Sequence, residues 1–366
     1  MISNWRKFPK VNDEGVGVNR RRGGLRSWNG MLPGAPYEAR WIRWEPRRTL
    51  APEILERMVD TAFPRRGVVE TQPLGDGLRN ANFKLRLDGH PEPVVLRVYE
   101  HDASLCRKEL DLLGLAGGLV PVPEVIHAEP YGLEDLPPFT LTRYIEGISL
   151  RDLKRSGDTG ATAEAAYSAG ETLAAIGRAT FDRPGWLGPG PAVTAPLLEG
   201  KDPTPRFVDL CLGSINLERR MPADLRHRAS GLVWRWAAQL ARLDEEARLV
   251  HGDFNGRNLL VRCLAGRWSV VAVLDWEFAV SGSPLGDLGN FLRYERALGP
   301  LAEPHFSAGY RHAGGALPRD WRRLARVLDV AAICESLTHD QLPDTAIAEL
   351  VELVRAIVEN RDPPVK

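Results

Sequence analysis

Apolar and polar positions follow different rules in different stretches of the chain. Met1–Leu50 shows neither a two-residue nor a helical alternation and is read as a poorly ordered or loosely docked extension. From Pro52 the pattern becomes regular. Pro52–Phe63 is predicted helical, and Val68–Gln72, Asn82–Leu87 and Val94–Tyr99 are short β-rich runs set apart by Gly, Asp and Pro. Ala103–Ala116 carries Leu105, Leu112, Leu113 and Ala116 at core-facing helical spacing, and Val125–His127 and Phe139–Tyr144 read as further strands. The expectation is a small antiparallel sheet with one helix between its third and fourth strands. Beyond Gly147 helical patterns dominate: Ala161–Thr180, Phe207–Arg219 and Ala223–Ala247, then Leu285–Arg293, Asp320–Leu337 and Ile347–Glu359 after a strand–loop–hairpin segment over Leu249–Trp276. The chain is therefore predicted to be α+β, with a β-rich lobe over residues 51–146 and a larger, mostly helical lobe over 147–366.

Composition narrows the partners. Lys+Arg and Asp+Glu both number 48, so net charge gives no general argument for nucleic acid or a membrane surface. Met1–Arg48 is locally basic, with eleven Lys/Arg against four Asp/Glu, and its Trp5, Trp28, Trp41 and Trp44 leave room for docking onto the body. Basic tails are usually just solvated, and no nucleic-acid partner is expected. Cys106, Cys211, Cys263 and Cys334 are far apart, so packed ordinary thiols in a reducing compartment are expected rather than a disulfide framework or zinc site. No apolar run could span a bilayer, and Arg20-Arg21-Arg22 is followed by no apolar stretch, so a cytoplasmic location is expected.

Candidate chemistry concentrates after residue 250. His251-Gly252-Asp253-Phe254-Asn255-Gly256-Arg257-Asn258 places Asp253 and Asn258 five apart on a loop between a helix and a strand. This is the D-x-x-x-x-N spacing of kinase catalytic loops, with Gly252 where protein kinases carry Arg. A carboxylate there can accept or orient the proton of an attacking hydroxyl, and an amide oxygen beyond it can bind a divalent cation without adding charge. Asp275-Trp276-Glu277 ends the apolar strand Val270–Leu274. Leu259–Cys263 and Trp268–Leu274 bracket Leu264-Ala265-Gly266-Arg267 and read as a β-hairpin, which would return Asp275 to Asn258 and Asp253. Three oxygen-bearing side chains would then converge, as a magnesium–phosphate site requires, with Asp275 the principal ligand. Taken singly, Asp253 could cap a turn, Asn258 begin a strand and Asp275 cap a loop. Their order, with a hairpin between, points to phosphoryl transfer.

Upstream, Leu74-Gly75-Asp76-Gly77-Leu78-Arg79-Asn80 lies between two strands. Its glycines could bring backbone N–H groups to phosphates, or could simply make a hairpin turn. Arg97 sits in the third strand and must face water or a charged partner. Glu109, on the following helix, is that candidate partner or an ordinary solvated charge.

Together these residues resemble the aminoglycoside phosphotransferase and choline kinase-like family, a branch of the two-lobed protein kinase-like fold. The resemblance runs from about Pro52 to the C-terminus and includes Val120-Pro121-Val122-Pro123, Thr142-Arg143-Tyr144-Ile145-Glu146-Gly147 and Gly282-Ser283-Pro284-Leu285-Gly286-Asp287-Leu288. It implies Asp253 as the catalytic aspartate, and Asn258 and Asp275 as magnesium ligands. It implies a nucleotide site made by Gly75, Gly77, Asn80, Arg97 and Glu109 toward the phosphates and by Thr140–Glu146, with Thr142 and Tyr144, around the base. Asp287 would brace the catalytic loop. The implied reaction carries the γ-phosphoryl of ATP or GTP to a hydroxyl of an aminoglycoside-like, amino-alcohol or sugar acceptor, with Mg2+. Arg97 departs from the usual Lys, and Asp76 and Arg79 alter the glycine-rich loop. The acceptor would sit between the catalytic loop and a helical insert over Arg151–Ala247. Glu277, Glu295, Glu335 and Asp340 could receive a cationic acceptor or be plain surface charges, and Trp276 could pack near the acceptor or fill the core. A nucleotide-binding pseudokinase acting through a partner is the alternative; a protein kinase would need an A-P-E-like end to its activation segment, and none follows Asp275.

Overall fold

The computed structural model describes residues 50–74, 81–99, 103–197, 200–295 and 300–360. In chain order, helix α1 (Pro52–Asp60) leads into strands β1 (Val68–Leu74), β2 (Ala81–Leu87) and β3 (Val94–Val98), then helix α2 (Ala103–Ala116) and strands β4 (Val125–Glu129) and β5 (Phe139–Arg143). The five strands form one antiparallel sheet ordered β1-β2-β3-β5-β4, with α2 between the third and fourth strands as predicted. Alternation along the strands divides the sheet's faces. Phe83, Leu85, Leu96, Val98, Phe139 and Leu141 share a core with Leu55, Met58 and Val59 of α1. The intervening positions form cross-strand rows, Asn82 beside Arg97 beside Thr140 and Lys84 beside Val95 beside Thr142, on the opposite face.

The second lobe follows with β6 (Ile148–Ser149), α3 (Leu150–Arg155), α4 (Thr159–Ile176), β7 (Gly185–Leu187), β8 (Val193–Ala195), α5 (Pro203–Leu212), α6 (Ile215–Arg220), α7 (Ala223–Arg235) and α8 (Ala237–Leu243). Strands β9 (Arg248–Val250), β10 (Leu259–Leu264), β11 (Arg267–Val273) and β12 (Val280–Gly282) come next, then α9 (Leu285–Leu292), α10 (Glu303–His312), α11 (Trp321–Leu337) and α12 (Asp344–Val358). A single apolar core runs through these elements, from Leu150 and Leu173 to Phe306, Ile333 and Leu353.

Several predicted bounds need correction. The helix expected over Phe207–Arg219 breaks at Gly213-Ser214, where the Ser214 hydroxyl accepts the N–H of Leu217 and starts α6. The one expected over Ala223–Ala247 breaks at Trp236. Helix α4 starts earlier than Ala161 because Asp158 caps it, accepting the Ala161 N–H at 2.9 Å, and it stops at Gly177 rather than Thr180. The β10–β11 turn is two residues rather than four: Ala265 and Gly266 have φ of 49° and 85°, the pair of positive values that a tight I′-type hairpin uses. Cys106, Cys211 and Cys334 are buried, but Cys263 is exposed, since it lies beside the solvent-facing turn of that hairpin. No helix among the described residues is long and apolar enough to cross a membrane.

Candidate active site

The loop after β9 is held at both ends. Gly252 has φ +80°, and a Cβ there would lie 2.4 Å from the carbonyl oxygen of Phe278, so only glycine fits. Asp287, in the first turn of α9, accepts the N–H of His251 at 2.7 Å and that of Gly252 at 2.9 Å. Burial pushes Asp287 up to about 7 against the pull of these donors. His251 is fully buried, its Nε2–H donating to the Leu274 carbonyl at 2.9 Å and its Nδ1 accepting the Asp253 N–H at 3.2 Å. Burial pushes this imidazole down to about 4, which suits the neutral tautomer that those two bonds require. One ring thereby ties the loop to the end of β11.

Side-chain amides surround Asp253. Asn255 donates to its Oδ1 at 2.8 Å and Asn258 to its Oδ2 at 2.8 Å, while Asn258 also donates to the Asp253 carbonyl at 2.9 Å. Asn290, from α9, lies with its Nδ2 at 3.4 Å from Oδ1. Burial raises the Asp253 carboxyl and the nearby charge of Asp275 adds to this; Arg293 and the amides pull it back. Both N–H groups of Asn258 are spent on Asp253, so its Oδ1 is the atom left to offer.

The hairpin delivers Asp275 as the sequence predicts. The Leu274 N–H donates to the Asn258 carbonyl at 2.8 Å, closing the base of the β10–β11 pair and setting Asp275 next to that loop. Asp275 has φ +67°, a left-handed backbone uncommon outside glycine and frequent where a functional site over-determines the chain. Its Oδ1 lies 2.6 Å from Arg97 Nη2; Arg97 Nε pairs with Glu109 Oε2 at 3.1 Å and Nη2 reaches Glu277 Oε2 at 3.6 Å. Buried Glu109 also accepts the Tyr99 hydroxyl at 2.5 Å and the Trp276 N–H at 3.3 Å, and burial raises its carboxyl against the pull of Arg97. Buried Lys108 donates to the Glu277 carbonyl at 2.8 Å and is pushed down by burial to about 8.

The structure therefore brings Asp253 and Asn258 into contact, and Arg97, Glu109 and Asp275 into another contact, with the hairpin joining the two groups. Thr142 is buried on β5, in the row beside Val95. Tyr144 lies just past β5, its ring 3.9 Å from Lys84 Nζ. Gly75, Gly77 and Asn80 lie outside the described residues. The carboxylates weighed for a cationic acceptor have internal partners, Glu277 near Arg97, Glu295 on Lys154 at 3.1 Å, Glu335 on His339 at 3.0 Å and Asp340 on Asn216 at 2.8 Å, and Glu277 and Glu295 are buried rather than surface charges. Trp276 is core, fully buried with its indole N–H on the Val273 carbonyl. Asn255, Lys108 and Asn290 were not singled out from sequence. The first sits inside the loop motif and was legible there; the other two reach their partners only through the fold. Among the described residues, no group of three or more His, Cys, Asp or Glu side chains is arranged to hold a metal.

The sequence profile described as the phosphotransferase enzyme family matches residues 70–327. Among curated proteins, none matches the chain. Among solved structures, a thermostable mutant of aminoglycoside phosphotransferase APH(4)-Ia, in ternary complex with AMP-PNP and hygromycin B, is 20% identical with a TM-score of 0.58, over 82% of this chain and 98% of that one. The GDP complex of wild-type aminoglycoside 2'-phosphotransferase-IIIa is 17% identical with a TM-score of 0.61, over 85% and 99%. A putative fructosamine-3-kinase from Thermobifida fusca is 19% identical with a TM-score of 0.53, over 84% and 99%. At these identities the likeness establishes the two-lobed kinase-like fold.

Proposed function

The chain belongs to the phosphotransferase enzyme family and transfers phosphoryl groups to an alcohol acceptor, and from that premise we propose that it is a small-molecule kinase using ATP or GTP with Mg2+. The acceptor is a hydroxyl of an aminoglycoside-like, amino-alcohol or sugar molecule. The observation that carries this reading is the pairing of Asp253 with Asn258 on one loop, with Asp275 returned beside them and tied through Arg97 to Glu109. Asp253 orients the acceptor hydroxyl and takes its proton. Asn258 Oδ1 and the Asp275 carboxylate would hold Mg2+; two hard oxygens from the protein suit an ion that keeps its other positions for phosphate and water. When bound, the ion neutralises charge on the transferring phosphoryl group. Arg97, oriented by Glu109, meets the phosphates together with Gly75, Gly77 and Asn80, while Thr142 and Tyr144 line the base pocket.

Residues 51–146 are assigned as the nucleotide lobe, residues 147–366 as the catalytic and acceptor lobe, and residues 1–50 as an extension to this cytoplasmic enzyme. Complexes of the similar structures with AMP-PNP in one case and GDP in another support a purine nucleotide donor without choosing between bases. The test is labelled-phosphate transfer from magnesium-ATP and magnesium-GTP to a pooled panel of aminoglycosides, choline-like amines, amino alcohols and sugars. Transfer that disappears in Asp253→Asn supports the reading; a variant with near-normal kcat overturns it. One observation favours the pseudokinase alternative, namely that Asp275 is engaged by Arg97 rather than left open. Nucleotide binding without transfer to any acceptor in the panel would leave either an acceptor outside the panel or the pseudokinase.

A further inference from the structure

Asp253 receives three amides, and the loop motif supplies only two of them. The third, Asn290, arrives 37 residues later on α9. Its side chain is buried, with the residue 6% exposed, and its Oδ1 has no hydrogen-bond partner among the described residues. A buried amide oxygen left unpaired is a cost that folds ordinarily avoid. Among the described residues, the one polar contact that this side chain makes is the one from Nδ2 to Asp253.

Helix α9 is built to hold that contact. Asp287 and Asn290 are three apart and share a helix face. Asp287 grips the loop backbone at His251 and Gly252 while Asn290 reaches the carboxylate. One turn on, Arg293 is fixed by a two-pronged pair with Asp329 of α11, Nη2 to Oδ1 at 2.6 Å and Nε to Oδ2 at 3.0 Å. A Cβ at Gly289 would lie 2.4 Å from the Ala325 carbonyl oxygen, so α9 and α11 meet backbone to backbone and α9 has one rotation available.

A carboxylate oxygen has about two in-plane lone pairs. Among the described residues, Oδ1 of Asp253 faces two side-chain donors, Asn255 and Asn290, whereas Oδ2 faces only Asn258. Resting on the assignment of Asp253 as the group that meets the acceptor hydroxyl, we propose that Asn290 is a positioning residue. It saturates Oδ1, fixes the rotation of the carboxylate about its Cβ–Cγ bond, and so leaves one lone pair of Oδ2 as the place where the hydroxyl docks.

The test compares wild type with Asn290→Leu and Asn290→Val, which carry no donor and add no charge beside Asp253, and with Asn290→His, whose ring N–H can replace it. Labelled-phosphate transfer to the pooled acceptor panel is read alongside calorimetric magnesium-ATP binding and thermal midpoints, with Asp253→Asn as control. The expected result is a fall in kcat of about 10- to 100-fold in the donorless variants, the scale that slight misplacement of a reacting group produces. Magnesium-ATP affinity and the midpoint should move little, and Asn290→His should recover most of the rate. A kcat within twofold of wild type in Asn290→Leu, or losses of affinity and midpoint that track the loss of rate, would overturn the proposal. Wild type that transfers nothing, or Asp253→Asn that keeps full rate, would instead overturn the kinase reading and this proposal with it.

Discussion

His251 and Asp287 are neighbours whose protonation works in opposite directions. The imidazole is pushed down from 6.5 to about 4. The unfolded chain therefore binds the extra proton between those values, and the stability this group contributes above pH 6.5 is lost as pH falls toward 4. Asp287 is pushed up from 3.8 to about 7, so the folded chain holds the extra proton, and its contribution is lost as pH rises through 7. By the usual conversion of pKa difference to free energy the His251 change spans roughly 3 kcal/mol and the Asp287 change roughly 4 kcal/mol, and with opposite signs they largely flatten the profile. His251→Gln should therefore expose a decline in stability as pH rises from 4 to 7, measured by urea unfolding at each pH. A variant profile parallel to wild type would refute the account. A second expectation concerns Arg97, whose forked guanidinium spans Glu109 and Asp275 at once. Lysine has one ammonium for both, so Arg97→Lys should weaken magnesium-ATP binding several-fold in calorimetry while transfer persists. At this scale the sequence exposed Asp253, Asn258 and Asp275, because a loop motif and a hairpin are local. Asn290 and Lys108 stayed hidden because their partners are brought near only by tertiary packing.

Helices α4 and α10 cross at two glycines. A Cβ at Gly170 would lie 2.0 Å from the Phe306 carbonyl oxygen, and one at Gly309 would lie 2.0 Å from that of Tyr167. Neither neighbour is a side-chain end that could swing aside, so the helices must part to admit a methyl group. Gly309→Ala should cost about 3 kcal/mol, at the upper end of ordinary overpacking, with a lowered urea midpoint and an unchanged m-value. Full stability in this variant would mean that the crossing is looser than its geometry indicates. The helix α10 that makes this crossing was not read from the sequence. Its ten residues include Pro304, Gly309 and two histidines, which blur the apolar period. Helix α3 and strands β6, β7, β8 and β12 were missed for a related reason: segments of two to six residues are too short to show a period at all. The long elements were legible, and the errors in them fell where a capping Ser or Asp, or a lone Trp, reset the helix start or broke the helix.

On the scale of the molecule, the β-rich lobe meets the hairpin of the larger lobe through apolar packing of Leu112, Ala116 and Val120 beside Val273, through the Val273 N–H on the Pro121 carbonyl, and through charge. Arg97 on β3 pairs with Asp275, and on α2 Lys108 donates to the Glu277 carbonyl while Glu109 accepts the Trp276 N–H. If Asp275 holds Mg2+, a cation arriving alone must share the carboxylate with the guanidinium that already holds its Oδ1, which leaves two positive charges side by side at a partly buried Arg97. A nucleotide arriving alone offers Arg97 new phosphate partners but leaves Asp275 facing their negative charge. Each ligand relieves the cost that the other meets, so their binding should be strongly cooperative, and this reciprocity must hold for both affinities. Thermal midpoints should rise little with magnesium alone and modestly with ATP alone. The two together should give more than the sum, with a stabilisation of roughly 3 kcal/mol once the ligand is a hundredfold above its Kd. Asp275→Ala should erase the excess and leave only the effect of ATP. Magnesium alone raising the midpoint as far as magnesium-ATP would show that Asp275 is free to coordinate before nucleotide arrives, and that the Arg97 pair does not govern access to it.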